Sequence, residues 1–341
     1  MTNDHQAPAL TDDLERPRRG AVLRFVRPAE HRLSISQRLH HETSDCYVHL
    51  VSSRNQIRSA VLAPAHPDRW PVPNKESVVL LEKKNAIVYG AGGAVGSVVA
   101  RAFAGEGARV FLAGRTRSTL ETVADEIRAS GGVAAVATVD VLDEDAVEKH
   151  ADAVVAEAGS LDISFNAISL PQTGIQGTRI ADLPLDGFDL PMSTYPKANF
   201  LTARAAARRM TGQGSGVILT ITASPSRTAV PLMGGMAPAW AAIEALSRGL
   251  AAELGPHGVR VVCLNAAGMP ESPQLSEVYG LHADAYGISR DAFSSRMAER
   301  TLRKQLPMIA EIADVAAFVA SDRAAAITGA VANLTGGMVV D

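Results

Sequence analysis

The sequence has little of what marks secreted, membrane-spanning or nucleic-acid-binding proteins. It contains only two cysteines, which excludes a disulfide scaffold and is typical of a reducing cytosol. Its longest apolar runs, such as 313–320, are far shorter than the roughly 20 residues of a membrane-spanning helix. Residues 1–20 contain no apolar segment of the kind found in secretory signals. The net charge of −3 gives no electrostatic basis for binding nucleic acid or an anionic membrane. We therefore expect a cytoplasmic protein with neither of these partners.

The first 77 residues differ in composition from the rest of the chain. They hold six of the nine histidines and seven of the eighteen prolines, and no apolar period of a helix or strand persists in them. We predict that residues 1–77 are a disordered extension or, alternatively, the product of an upstream start, since a valine codon at Val78 or Val79 can begin a bacterial chain. No metal site is predicted, because no standard zinc spacing is matched by His40, His41, Cys46 and His49.

Residues 78–341 alternate between strand-like and helix-like segments. Apolar or β-branched runs predict seven strands, at 86–89, 110–113, 133–139, 162–165, 217–222, 259–264 and 330–334. Helical patterns lie between them, and one has apolar side chains at i, i+3, i+4 and i+7, namely Leu120, Val123, Ala124 and Ile127. Ser118 and Glu121 have the spacing of a capping box for that helix. The alternation predicts an α/β fold, a single Rossmann-type domain with a doubly wound, seven-stranded parallel sheet.

A glycine-rich loop follows the first of these predicted strands. Residues 89–96 read Tyr-Gly-Ala-Gly-Gly-Ala-Val-Gly and lead into a helix of small residues. Glycines let the chain turn sharply and let its amides approach a pyrophosphate, which then faces the helix N-terminus. A tight turn alone is the structural alternative. In this position we predict a cofactor-phosphate site made by Gly90, Gly92, Gly93, Ala94, Val95 and Gly96.

The end of the second predicted strand indicates which dinucleotide binds. Enzymes that use NAD usually carry an acidic residue there for the ribose hydroxyls, but this chain has a glycine followed by Arg115 and Thr116. A guanidinium group suits a 2′-phosphate, so NADP(H) is favoured over NAD(H), and a plain surface arginine is the alternative. Asp140, which Val141 follows, is predicted to accept a hydrogen bond from the adenine amino group and, compatibly, to cap a helix over 144–155.

These motifs resemble those of the short-chain dehydrogenase/reductase family over about three quarters of the chain. The glycine loop is similar to the family's Thr-Gly-x-x-x-Gly-x-Gly motif, with Ala94 at the middle glycine. Residues 161–169 are similar to its Leu-Asp-x-x-x-Asn-Asn-Ala-Gly strand, of which only the first asparagine, Asn166, survives. The resemblance implies that Asn166 and Ala167 border the cofactor. It also implies a homodimer or homotetramer, paired through helix 237–254 and the long helix before it.

The catalytic positions are where the chain departs from this family. The resemblance places Ala223, Met236 and Trp240 where the family has Ser, Tyr and Lys. A methyl, a thioether and an indole cannot exchange a proton with a carbonyl oxygen as those residues do. Tyr195, two residues before Lys197, takes the place of the family's helix-4 asparagine and is the candidate for a relocated acid or base. Packing or a local hydrogen bond is the alternative role.

An insertion after the sixth predicted strand is expected to form a substrate lid. In the family this region folds over the substrate, and here it spans residues 269–306 and contains His282. His282 is interpreted as a solvated lid residue or, alternatively, as a proton donor.

The sequence is compatible with three functions. The first is an NADP(H)-dependent oxidoreductase with an atypical site, acting on a small-molecule carbonyl, alcohol or alkene. The second is a non-catalytic cofactor-binding protein, either a sensor or a pseudoenzyme subunit. The third is a lyase- or dehalogenase-like enzyme without the cofactor, against which the glycine loop and Arg115 argue.

Overall fold

The computed structural model describes residues 47–51, 57–61 and 79–340, and the chain divides into two compact units at Glu76/Ser77. In the first unit, strands β1 (Tyr47–Val51) and β2 (Ile57–Val61) form an antiparallel pair. The sequence predicts no strand there, because neither run shows a lasting alternation. The rest of the predicted extension 1–77, with His40, His41, Cys46 and the alternative start at Val78, lies outside the described residues.

The second unit contains a seven-stranded parallel sheet in the order β5-β4-β3-β6-β7-β8-β9, which confirms the predicted fold class. The order reverses between β3 and β6, so that the sheet is wound outwards in both directions from this point. All seven predicted strands are present, with ends shifted by at most two residues: β3 (Asn85–Tyr89), β4 (Arg109–Gly114), β5 (Val133–Thr138), β6 (Ile163–Asn166), β7 (Gly216–Ala223), β8 (Val259–Ala266) and β9 (Val331–Leu334).

Helices cover both faces of this sheet. Successive side chains of a strand point to opposite faces, and accordingly Val88 packs in one apolar cluster with α1, α2 and α8, while Ile87 packs in another with α3 and α4. The helices are α1 (Ala94–Gly105), α2 (Arg117–Ala129), α3 (Glu144–Ala158), α4 (Leu185–Gln213), α5 (Met236–Leu254), α6 (Pro273–Tyr286), α7 (Arg290–Glu299) and α8 (Ile309–Ala320).

The helix starts show where the sequence interpretation succeeded and where it did not. The buried face of α2 consists of the four residues predicted from the 3.6-residue period. Its predicted capping box is wrong, because α2 begins at Arg117, so that Ser118 lies within the helix, and its N-cap Thr116 makes no side-chain capping bond. The capping role of Asp140 is also wrong. Asp143 caps α3, and its carboxylate accepts a hydrogen bond from the Ala146 N–H at 3.1 Å.

One buried histidine makes the stability of this unit depend on pH. His150 of α3 is 9% exposed, lies edge-on to the ring of Tyr89 at 5.9 Å, and has no hydrogen-bond partner for Nδ1. Burial lowers the pKa of His150 from 6.5 to about 4. The unfolded chain therefore takes up a proton on this residue at a higher pH than the folded chain does. Its stabilising contribution is complete above about pH 6.5 and is lost as the pH falls towards 4.

We expect the free energy of unfolding to fall by about 1.5 kcal/mol between pH 6.5 and pH 5 through His150 alone, since each pH unit contributes about 1.4 kcal/mol once the histidine of the unfolded chain is fully protonated. Urea unfolding of the wild type and of His150→Leu at these two pH values measures this contribution as the difference between their losses. Equal losses in the two proteins would show that His150 does not remain neutral in the folded state.

Candidate functional site

The glycine loop between β3 and α1 is closely packed at two positions. Gly90 has φ +75°, and a Cβ atom there would lie 2.6 Å from the carbonyl oxygen of Ala167. A Cβ atom at Gly96 would overlap the carbonyl oxygen of Gly90 and lie 3.0 Å from the Cα atom of Ala91. Both contacts are with backbone, which cannot swing aside. The loop keeps this shape only with glycine at 90 and 96.

The first turn of α1 offers free backbone donors beside this loop. Gly93 is the N-cap and makes no side-chain capping bond, and the first turn contains no acidic residue. Within the described part of the chain, no acceptor is found for the N–H groups of Ala94 and Val95. Unpaired donors at a helix N-terminus, together with the helix dipole, form a binding site for a phosphate. The predicted phosphate residues therefore fit a dinucleotide pyrophosphate.

Arg115 and Asp140 lie at the same edge of the sheet, after the adjacent strands β4 and β5. Both are exposed. Arg115 makes no ion pair or hydrogen bond with any residue that the structure describes, whereas Arg117 pairs with Glu121 at 2.7 Å. Asp140 Oδ1 accepts a hydrogen bond from the Leu142 N–H at 3.0 Å. This edge therefore presents the guanidinium of Arg115, for which the described residues offer no partner, and the carboxylate of Asp140.

Asn166 shapes the opposite side of the glycine loop. It is buried at the end of β6, where its Nδ2 donates to Thr202 Oγ1 at 2.9 Å and its Oδ1 accepts from the Ile168 N–H at 3.2 Å. Both polar ends of the side chain are thus used within the protein. These two hydrogen bonds hold Ala167 against Gly90. Ala167 also lines a cavity between the sheet, α5 and α6.

The three residues predicted to stand at the family's catalytic positions line one cavity. Ala223 ends β7, while Met236 begins α5 and Trp240 lies one turn later, and all three side chains line the same space. Met236 is 1% exposed and packs with Tyr195 in an apolar cluster that Trp240 also contacts. Ser224 is buried, and its hydroxyl contacts Met338 Sδ at 3.4 Å. The cavity therefore has an apolar floor at the positions where the resemblance places the proton-transfer residues.

Tyr195 reaches this cavity from α4. Its hydroxyl accepts a hydrogen bond from the Leu170 N–H at 3.3 Å, and burial raises its pKa to about 12. Lys197 is exposed while Tyr195 is buried, as expected for residues two apart on a helix, so it does not provide the cation that would lower this pKa. Tyr195 can donate a hydrogen bond to a ligand, and its raised pKa disfavours the phenolate form that a base would need near neutral pH.

Residues 269–306 form one wall of the cavity through α6 and α7. The interpretation of His282 as a solvated lid residue is wrong. It is 2% exposed, stacks on Phe293 at 5.3 Å between ring centroids, and lines the cavity. Its Nε2 lies 3.1 Å from Gln176 Oε1. Alternating apolar and polar residues on α6 give no signal for this burial, which depends on the loop that packs against the helix.

The sequence interpretation missed three glutamines of the site. Gln172 and Gln176 lie in the loop between β6 and α4, and Gln274 lies on α6. Gln172 and Gln274 both donate hydrogen bonds to the Leu170 carbonyl, at 2.5 and 3.2 Å. No spacing or motif singles out these residues, because the loop has no periodic pattern and glutamine is an ordinary surface residue.

The cavity has a volume of about 180 Å³ and is mainly apolar. None of the described residues around it is Asp, Glu, Lys or Arg. Its apolar walls include Val95, Ile168, Ile221, Val230, Met233, Met236, Trp240, Met269, Leu275, Val278, Phe293 and Met297. Among residues 79–340, no group of His, Cys, Asp and Glu side chains is arranged to hold a metal ion. No helix within that range is long and apolar enough to cross a membrane.

The comparisons with known proteins agree with this architecture. Residues 90–339 match the family described as enoyl-(acyl carrier protein) reductase. The chain is 30% identical over 259 residues to the uncharacterized oxidoreductase YxbG of Bacillus subtilis, covering 76% of this chain and 92% of that protein. It is 29% identical over 280 residues to gluconate 5-dehydrogenase of Gluconobacter oxydans, covering 81% of this chain and 99% of that protein.

A solved structure shows the same fold. The crystal structure of NAD⁺-bound xylitol dehydrogenase superposes with a TM-score of 0.71 at 26% identity, over 75% of this chain and 99% of the other. The matched family, the relatives and the parallel sheet with its glycine loop lead to one assignment. The chain belongs to the short-chain dehydrogenase/reductase family of oxidoreductases.

Proposed function

We propose that this protein is an NADP(H)-binding oxidoreductase with an atypical active site, acting on a small-molecule carbonyl, alcohol or alkene. The observation that carries the proposal is the open N-terminus of α1 behind the glycine loop, with Arg115 unpaired within the described structure at the neighbouring strand end. The first turn of α1 would hold the pyrophosphate, and Arg115 with Thr116 would hold a 2′-phosphate. Asp140 and Val141 would border the adenine, and Asn166 with Ala167 would border the rest of the cofactor.

We expect NADPH to bind at least tenfold more tightly than NADH. Replacing Arg115 by alanine should lower the affinity for NADPH about tenfold or more, since a hydrogen bond to a charged group contributes about 1.5–3 kcal/mol. NADH has no 2′-phosphate, so its affinity should change by less than about threefold. Isothermal titration calorimetry with both cofactors measures the four affinities.

Arg117→Ala is the matched control, because Arg117 is also exposed and lies two residues away but is paired with Glu121. It should leave both affinities unchanged. An equal loss for NADPH and NADH in Arg115→Ala would remove the 2′-phosphate assignment. A wild type that binds neither cofactor would overturn the proposal itself.

A bound nicotinamide cofactor supplies or accepts a hydride. The chain's own residues provide an apolar floor from Met236 and Trp240 and a neutral hydrogen-bond donor, the hydroxyl of Tyr195. We assign Tyr195 the role of hydrogen-bonding the substrate oxygen. Its high pKa keeps the phenol neutral, so that it can donate a hydrogen bond to the substrate oxygen and supply the proton that an alkoxide formed by hydride transfer takes up. A reaction that needs little help from an acid or base fits this site best.

A second candidate function is supported by the same three altered positions. With Ala223, Met236 and Trp240 in place of Ser, Tyr and Lys, the cavity can serve as the binding site of a sensor or pseudoenzyme that holds the cofactor without turnover. Tight NADPH binding without oxidation of the cofactor on a panel of ketones and enones would favour this function. A lyase or dehalogenase without the cofactor is disfavoured by the intact phosphate cradle.

The oligomeric state of the protein and its location in the cell remain predictions. Copies of the chain are expected to associate as a homodimer or homotetramer through α4 and α5, which pack against each other within one copy. α4 exposes the apolar side chains of Leu190 and Phe200. The cytoplasm remains the predicted location.

A further inference from the structure

The cavity is built for a ligand without charge. Its described lining contains no Asp, Glu, Lys or Arg side chain, so away from the α1 N-terminus, which the cofactor pyrophosphate would occupy, a charged group on a ligand would lose its hydration without gaining an ionic partner. Aromatic residues make up only 4% of the sequence, yet four of them line this one space, namely Tyr195, Trp240, Tyr279 and Phe293. Aromatic walls favour flat, apolar ligands, whose faces and edges they contact over a large area.

A chain of hydrogen bonds runs along one side of the cavity. It starts at the Leu170 carbonyl, which can only accept a hydrogen bond, and this orients the amide of Gln172 with Nε2 as its donor at 2.5 Å. Gln172 Oε1 then accepts from Gln176 Nε2 at 2.6 Å. Gln176 Oε1 is left to accept from His282, whose Nε2 lies 3.1 Å away. The order of donors and acceptors is therefore set by the backbone carbonyl at its start.

The direction of these hydrogen bonds determines which nitrogen of the His282 ring carries the hydrogen. Nε2 must carry the hydrogen that it donates to Gln176, so in the neutral ring Nδ1 carries a lone pair and accepts hydrogen bonds. Nδ1 has no partner among the described residues and does not belong to the buried polar atoms that lack one. The atom therefore keeps some accessible surface, and since His282 is otherwise buried and lines the cavity, we infer that Nδ1 faces the cavity. Burial lowers the pKa of His282, which keeps the ring neutral.

We propose that this cavity binds an uncharged, aromatic or polycyclic molecule bearing a hydroxyl group, and that the hydroxyl donates its hydrogen to His282 Nδ1. The inference rests on the proposed function only in that both concern the same site. It adds the class of ligand and a residue that selects it. A ligand whose only polar group accepts hydrogen bonds would leave Nδ1 without a partner and would bind less tightly.

Calorimetry with three naphthalene probes tests this proposal, on the full-length protein with and without saturating NADPH. The probes are 2-naphthol, which is uncharged at pH 7 and has a donor, 2-methoxynaphthalene, which lacks the donor, and 2-naphthoate, which is charged. We expect 2-naphthol to bind at least tenfold more tightly than 2-methoxynaphthalene and, with NADPH bound at the α1 N-terminus, at least a hundredfold more tightly than 2-naphthoate. Equal affinity for the first two, tight binding of 2-naphthoate to the protein saturated with NADPH, or no binding of 2-naphthol would overturn the proposal.

His282→Phe removes the acceptor and keeps an aromatic ring. In this variant the preference for 2-naphthol over 2-methoxynaphthalene should fall to less than about threefold. His257→Phe, which alters an exposed histidine elsewhere on the domain, should retain the full preference. If His282→Phe keeps the preference as well, the selecting residue has been misassigned.

A second measurement is made on the wild-type protein and therefore does not require a folded variant. Long-range ¹H–¹⁵N spectra of the imidazole rings should show His282 with one protonated and one unprotonated nitrogen. The signal of the unprotonated nitrogen should move on addition of 2-naphthol and not on addition of 2-methoxynaphthalene. A doubly protonated ring, or the same response to both probes, would contradict the assignment. Failure of the proposed function is seen separately, as absence of NADPH binding.

Discussion

Gly96→Ala is expected to weaken NADPH binding by at least about a hundredfold. The new Cβ atom would overlap the carbonyl oxygen of Gly90 and lie 3.0 Å from the Cα atom of Ala91. These are backbone atoms of the loop that brings the amides of α1 to the pyrophosphate, so the loop must move. Because phosphate binding depends on several amides converging on one point, a shift of about 1 Å removes most of the binding energy.

Gly105→Ala provides the matched control for this result. Gly105 ends the same helix, and a Cβ atom there meets nothing within 4 Å. The substitution should leave NADPH affinity unchanged and raise stability slightly, by up to about 1 kcal/mol, because alanine favours the helix. Calorimetry and urea unfolding of both variants separate the two effects. A Gly96→Ala protein that is folded and binds NADPH normally would show that the loop does not hold the cofactor.

Restoring Ser, Tyr and Lys at positions 223, 236 and 240 is expected to raise the rate of NADPH-dependent reduction of an apolar ketone by about 10²–10⁴-fold, the usual contribution of acid–base catalysis. The three side chains already line one cavity, at the end of β7 and on the first two turns of α5. Turnover of 2-tetralone, followed by the absorbance of NADPH, measures the gain over the parent protein.

The control is a second triple variant, with Phe instead of Tyr at 236. It introduces the same ring and the same Ser and Lys but no phenol hydroxyl. It should show no gain. Equal rates for the two variants would mean that the gain does not come from proton transfer. A Tyr-containing variant that folds and binds NADPH yet gains no activity would contradict the view that these positions still form the active site.

Local patterns in the sequence were sufficient for most of the fold. The seven strands of the sheet follow from short apolar or β-branched runs, since strands of a parallel sheet are covered on both faces, and the buried face of α2 follows from its 3.6-residue apolar period. The glycine loop could also be predicted from the sequence, because its tight turn requires glycine at 90 and 96. A side chain at either position would overlap backbone atoms. The helix N-caps could not be predicted from the sequence, because neighbouring polar residues such as Asp140 and Asp143 can both take this role. Only the backbone geometry decides between them.

The sequence by itself determined the sheet, the glycine loop, the position of Arg115 after its strand and the predicted absence of Ser, Tyr and Lys from the family's catalytic positions. These features depend on residue type and on spacing along one element. Only the tertiary structure decided that His282 is buried rather than solvated, and that Gln176, 106 positions earlier, orients its ring. A buried hydrogen bond between distant segments forms only when packing brings the two segments together and excludes water from between them. No local pattern records that step, and the proposed preference of the cavity for a hydroxyl-bearing ligand depends on it.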